Sequence, residues 1–105
     1  MTIPINDKKE AIQRLKACHR QLAALGVTSV GLFGSFAKER QTPKSDVDIL
    51  VEFAPDKHSF DNFMELSFFL EDLFGRKVEV LTPEALSPHI GPYILREVER
   101  VSLTA

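Results

Sequence analysis

Apolar residues in the first quarter of the chain recur at three- and four-residue steps. Asp7 and Glu10 stand at the spacing of a capping box, which marks the start of a helix. Gly26 follows where a C-cap glycine belongs. The pattern predicts an amphipathic helix that turns one stripe to the core, formed by Ile12, Leu15, Cys18, Leu22 and Leu25.

Two apolar stretches in the middle of the chain have the pattern of strands. Val27–Phe33 is a continuous run rich in Val, Leu and Phe. Between the two stretches lie a Gly-Ser pair, a short segment with helical composition and a polar loop. From Asp46 onward the chain alternates, with Val47, Ile49, Val51 and Phe53 on one side and Asp46, Asp48, Leu50 and Glu52 on the other.

The phenylalanine-rich segment that follows predicts the longest helix. Ser59 caps it, Phe60–Phe74 forms it, and Gly75 closes it. Its apolar stripe includes Phe60 and is wider than one face, which indicates burial on two sides or in a subunit contact. Phe68 or Phe69 is the candidate for a partner surface.

The last third predicts one more strand and one more helix. Lys77–Leu81 alternates, so Glu79 projects from the face opposite Val78 and Val80. Thr82 and Pro83 start a short helical turn. The final helix is expected to carry Tyr93, Ile94, Leu95, Val98 and Val101. The element order implies an α/β domain with a small mixed sheet of three to four strands and helices packed on it.

Composition narrows the class of protein. The 105 residues suit one domain, 1–105, and 44% of them are hydrophobic, enough for a core. A net charge of −2 gives no electrostatic case for broad nucleic-acid binding. No apolar run has transmembrane length, and the first residues do not open a signal peptide. Cys18 is the single cysteine, which fits a reducing cytoplasm, so we expect a cytoplasmic protein without a membrane association.

Asp46 and Asp48 are the first candidates for chemistry. On a strand they point the same way, and two carboxylates about 5 Å apart repel by roughly 3 kcal/mol at an effective dielectric near 20. A divalent cation such as Mg²⁺ would convert that repulsion into coordination. The alternative is a half-exposed strand with an ordinary polar face.

The Gly34-Ser35 pair strengthens the cation interpretation. Gly34 lets the backbone approach a ligand closely, and Ser35 offers a hydroxyl and free N–H groups to a phosphate. Lys38 could reach the phosphates of the same nucleotide, although the alternative is an ordinary solvated loop. A phosphate site before one strand and a metal site on the next is a pattern typical of nucleotide-handling proteins.

These residues resemble a known signature. Gly34-Ser35, ten intervening residues and Asp46-Val47-Asp48 are similar to the GS-x10-DxD motif of the DNA polymerase β-like nucleotidyltransferases. The short chain resembles the minimal nucleotidyltransferases, many of which are antitoxins paired with a HEPN-domain toxin. One departure is Glu39, where the family usually has glycine, which implies strain or another local geometry there if the position needs a left-handed backbone.

The resemblance implies the polymerase β-like fold and a set of roles. Gly34, Ser35 and Lys38 would bind the nucleotide together with Asp46 and Asp48. Two Mg²⁺ ions would be held by Asp46, Asp48 and a third carboxylate, here Glu79 in place of the usual Asp. The implied reaction is transfer of AMP from ATP to a tyrosine of a HEPN toxin.

Two other functions stay open on the sequence. With Glu79 longer than the usual side chain, the chain could neutralise its partner by binding alone. Transfer to a small hydroxylated molecule such as an aminoglycoside is disfavoured, because such enzymes usually carry a further substrate-binding domain. The acceptor, the base preference and any homo- or hetero-oligomer are not given by the sequence.

Overall fold

A four-stranded mixed sheet forms the centre of the structure, with helices packed on it. The computed structural model describes residues 2–103. In chain order the elements are α1 (Lys8–Ala17), α2 (His19–Ala24), β1 (Val27–Phe33), α3 (Gly34–Ala37), β2 (Val47–Phe53), α4 (Phe60–Phe74), β3 (Val78–Leu81), a 3-10 turn (Pro83–Ala85), α5 (Gly91–Glu97) and β4 (Glu99–Val101).

The strands lie in the order β3-β2-β1-β4. β1 pairs antiparallel with β2 on one side and with β4 on the other, whereas β2 and β3 are parallel. The parallel pair is joined through α4, as a crossover between parallel strands requires. The predicted α/β class and the mixed sheet of three to four strands are confirmed.

Strand alternation separates the two faces of the sheet. Val47, Ile49 and Val51 of β2 are fully buried in the main core, which the apolar stripes of α1, α2 and α4 complete. The opposite face carries a smaller cluster around Leu50, to which α5 contributes Ile94. Since side chains alternate along a strand, Asp48 lies on this second face.

The N-terminal helix is divided, which the sequence pattern did not predict. At Cys18 the backbone N–H is shared between the carbonyls of Arg14 (3.2 Å) and Leu15 (3.3 Å), and α2 begins at the next residue. Such shared bonds tighten the end of a helix. Leu15 of the first segment and Leu22 of the second are both buried in the main core.

The prediction that the last helix carries Val98 and Val101 was wrong. α5 ends at Glu97, and the following residues form β4, in which Val101 pairs with Val30 of β1. Gly31 makes this possible, because a Cβ there would lie 2.5 Å from Cγ2 of Val98. Val101 therefore extends the sheet, where a β-branched residue packs well, while Val98 links α5 to β4 with an extended backbone.

α4 has the predicted bounds and caps. The hydroxyl of Ser59 accepts from the N–H of Asn62 at 3.1 Å, and Gly75 takes the left-handed conformation with φ of 65°. Phe60 does not belong to the core stripe: it is the first helical residue and is 77% exposed. Phe68 is 64% exposed, whereas Phe69 packs against the core, so only Phe68 keeps its candidacy as a partner surface.

No helix within residues 2–103 combines the length and the apolar character needed to cross a membrane.

Candidate active site

The centre of the site is a close contact between Gly34 and Asp48. In the antiparallel register of β1 and β2, Asp48 lies opposite Phe33, the residue before Gly34. Gly34 has a φ of 73°, and a side chain built on it would overlap the carboxylate of Asp48. Glycine is therefore required at position 34 for two reasons: the backbone is left-handed there, and Asp48 occupies the space of a Cβ.

Glu79 meets Asp48 from the neighbouring strand. The two residues are partners in the parallel register of β2 and β3. The pKa of Asp48 is raised from 3.8 to about 6. Burial is the largest cause, followed by the charge of Glu79 and a hydrogen bond with it, and then by the charges of Asp46 and Glu97. A carboxyl group whose charged form is disfavoured in this way gains from a nearby cation.

Asp46 lies outside the strand, just before its first residue, and is exposed. Its charge acts on Asp48. Within residues 2–103 no three Asp, Glu, His or Cys side chains form a ready-made metal cluster. Asp46, Asp48 and Glu79 as shared metal ligands therefore stay a prediction. Their all-oxygen donor set and their mutual repulsion nevertheless fit a hard divalent cation.

Glu97 is a site residue that the sequence analysis missed. One oxygen of its carboxylate accepts from the N–H of Gly34 at 3.4 Å. The other oxygen pairs with Nζ of Lys38 at 2.9 Å. The carboxylate of Glu97 therefore contacts both the N–H of Gly34 and the ammonium group of Lys38, two groups predicted to bind phosphate. Nothing local marks Glu97, because it is 63 residues from Gly34 and reaches the site only through the packing of α5.

The loop after the Gly34-Ser35 turn contains the residue that departs from the family pattern. Glu39 has a φ of 58°, so the position does need a left-handed backbone. The conformation lets the N–H of Arg40 donate to the carbonyl of Ser35 at 2.8 Å. A non-glycine residue in this conformation costs roughly 1–2 kcal/mol. The first alternative stated for Glu39, backbone strain, is the one that the structure adopts.

Comparison with known proteins identifies the class. The family model described as a nucleotidyltransferase domain matches residues 12–101, and the chain belongs to this family. A solved structure assigned as a minimal nucleotidyltransferase superposes with a TM-score of 0.78 and 29% identity, covering 90% of this chain and 95% of the other. The chain is accordingly a minimal nucleotidyltransferase with the fold of that group, an enzyme class that transfers nucleotidyl groups.

Two further comparisons bear on its relatives. The protein adenylyltransferase MntA of Thermococcus cleftensis is 35% identical over 91 residues, which cover 85% of this chain and 91% of the relative. A toxin–antitoxin complex solved with AMP-PNP superposes with a TM-score of 0.66, covering 95% of this chain and 74% of that one. At 21% identity, the second likeness shows the fold alone.

Proposed function

We propose that this chain transfers AMP from ATP to a tyrosine hydroxyl of a partner HEPN-domain toxin, in a Mg²⁺-dependent reaction, and so acts as an antitoxin. One observation carries the proposal. The carboxylate of Asp48 lies directly against the Gly34 turn, and Glu79 is its register partner on the neighbouring parallel strand. The candidate metal ligands and the turn predicted to bind phosphate are thus adjacent, an arrangement that supports nucleotidyl transfer.

Asp46, Asp48 and Glu79 would hold the two Mg²⁺ ions of this proposal. When bound, the metal neutralises charge on the transferring and leaving oxygens. Gly34 and Ser35 would then present backbone N–H groups to the triphosphate, while the missing Cβ of Gly34 leaves room for the Asp48 carboxylate beside that turn.

In the reaction, the acceptor oxygen forms a bond to the α-phosphorus of ATP while the bond from that phosphorus to the bridging oxygen breaks. Pyrophosphate leaves, and the proton of the acceptor hydroxyl passes to solvent. Glu79 is exposed, whereas Asp48 is half-buried against the turn. We therefore assign Asp48 to the nucleotide and Glu79 to the acceptor side.

The comparisons support the choice of substrates. A curated relative aligned over 85% of this chain is a protein adenylyltransferase, and one structural neighbour is a toxin–antitoxin complex with AMP-PNP. The acceptor would then be a protein that lies over the exposed Glu79 side of the site.

A binding-only antitoxin is the second candidate, and one observation favours it. Glu97 engages both the turn amide and Lys38, so a nucleotide must compete with a carboxylate of the chain itself. Neutralisation would then depend on surface contacts alone, with exposed Phe60 and Phe68 of α4 as candidates.

A thermal-shift titration with ATP and Mg²⁺ tests the proposed site. The parent should be stabilised by mass action, because the ligands bind the folded state. Asp48→Asn removes the central charge and should lose most of that response. Asp56→Asn changes an exposed aspartate of the β2–α4 loop and should respond like the parent. An undiminished shift in Asp48→Asn would place the nucleotide elsewhere.

A further inference from the structure

Arg76, which follows the C-cap of α4, donates to backbone carbonyls of two separate segments. Its Nε donates to Ile5 at 2.8 Å. Its Nη1 donates to Ser45 at 2.9 Å, to Thr42 at 3.0 Å and to Pro43 at 3.3 Å. The three acceptors on Nη1 all belong to the loop between α3 and β2. Only a planar guanidinium presents its donors in a rigid fork that serves both segments at once.

The same guanidinium also contacts α3. Its central carbon lies 5.0 Å from the ring centroid of Phe36, in a cation–π arrangement. Phe36 is fully buried and directly follows Ser35 in α3. Arg76 therefore connects the turn predicted to bind phosphate with the loop that leads to the aspartates.

This connection fixes the position of Asp46. It is exposed and precedes β2, so the sheet does not hold it directly. On one side of it the carbonyl of Ser45 accepts from Arg76. On the other side the N–H of Val47 donates to the carbonyl of Lys77 at 2.9 Å. The backbone on both sides of Asp46 is thus fixed by two consecutive residues of the segment after α4.

We propose that Arg76 is a positioning residue, which sets where Asp46 stands relative to Asp48 and the Gly34 turn. The proposal rests on the proposed function, since it assigns Arg76 to the geometry of the metal–nucleotide site. Arg76 touches neither reacting atoms nor metal in this assignment. Its replacement should raise the Mg²⁺ requirement of ATP binding more than it disturbs the fold.

The test compares Arg76→Lys with Arg14→Lys. Arg14 is a matched control, because it also donates to a backbone carbonyl, that of Leu73 at 2.9 Å, and pairs with Glu10. It belongs to α1, on the face of the sheet opposite Asp48. ATP affinity is measured by calorimetric titration over a series of Mg²⁺ concentrations, below the melting temperature of each variant.

Arg76→Lys should need about tenfold more Mg²⁺ for half-maximal ATP affinity, the size found when a partner that orients a metal ligand is removed. Arg14→Lys should match the parent. Asp46→Asn should itself raise the Mg²⁺ requirement. In the Asp46→Asn background, Arg76→Lys should add no further increase, because its effect passes through Asp46. Its effect on melting temperature should persist there.

Two results would overturn the assignment: a parental Mg²⁺ requirement in Arg76→Lys, or an increase that adds in full to that of Asp46→Asn. If Arg76→Lys does not fold, Arg76→Gln takes its place and must show the same non-additivity. A parent that fails to bind ATP with Mg²⁺ refutes the proposed function and this inference together. Normal parental binding with unaffected variants refutes only this inference.

Discussion

Asp48 shows how much of the chemistry is fixed by single residues. Its motif spacing, its place on a strand and its likeness to a metal ligand were all accessible from the sequence. Its environment was not, because burial, followed by the charges of Glu79 and Glu97 from other elements, raises its pKa to about 6. The raised pKa has a direct consequence for stability.

Protonated Asp48 contributes stability that is fully present below its ordinary pKa of 3.8 and is lost as the pH rises through about 6. The folded state binds the proton more tightly than the unfolded state does, so the parent weakens across this window. Asp48→Asn removes the titration. Without divalent ions, its melting temperature should exceed that of the parent at pH 8 and approach it near pH 4.

The control for this pH profile is Asp56→Asn, whose melting temperature should follow the parent at every pH. A constant difference between Asp48→Asn and the parent from pH 4 to pH 8 would contradict the raised pKa.

Among the elements, α5 and β4 bring the residues that local patterns could not predict. Val98 and Val101 fit a helical stripe in the sequence, yet Val101 pairs within the sheet, and Val98 links α5 to β4 in the space that Gly31 leaves. The same rearrangement sets Glu97 at the end of α5, over the Gly34 turn. Strand pairing and helix placement depend on residues far apart in the sequence. The caps of α4 depend on neighbouring residues and were predicted correctly.

Because Glu97 lies at the end of α5 over the Gly34 turn, we expect its carboxylate to weaken nucleotide binding. Glu97→Gln keeps the side-chain size but removes the charge that, in the proposed function, would compete with phosphate for Lys38 and the N–H of Gly34. ATP affinity with Mg²⁺ should rise about fivefold, the equivalent of roughly 1 kcal/mol for a partly exposed ion pair. Isothermal titration measures it.

Glu99→Gln is the matched control, because Glu99 pairs with Lys8 at 3.4 Å and contacts neither donor of the turn. Its ATP affinity should equal that of the parent. Unchanged or weaker affinity in Glu97→Gln would mean that Glu97 supports the turn and does not compete for it.

As a whole, the molecule separates its stabilising core from its chemistry. The helices α1, α2 and α4 cover one face of the sheet, while Asp48 and Glu79 lie on the other beside α5. The fold class followed from element order alone. The shape of the reactive face did not, since it depends on residues as distant in sequence as Gly34, Arg76 and Glu97.

Glu79 distinguishes an enzyme from a binding module in this arrangement. If Glu79 serves the acceptor side, Glu79→Gln keeps the side chain's size but loses its charge, and AMP transfer should fall by about 10²-fold, near 2.7 kcal/mol in the barrier. Partner binding should persist, because α4 is untouched. Glu79→Asp restores the length usual in the resembled family, so it should retain transfer.

The most direct measurement is intact-mass spectrometry of a HEPN-domain partner after incubation with this protein, ATP and Mg²⁺. Parent, Glu79→Gln, Glu79→Asp and Asp48→Asn are run side by side. We expect an AMP adduct on a partner tyrosine with the parent and Glu79→Asp, a trace with Glu79→Gln and none with Asp48→Asn. An equal adduct from all four, or no adduct from the parent while the toxin is still neutralised, would contradict transfer by this carboxylate site.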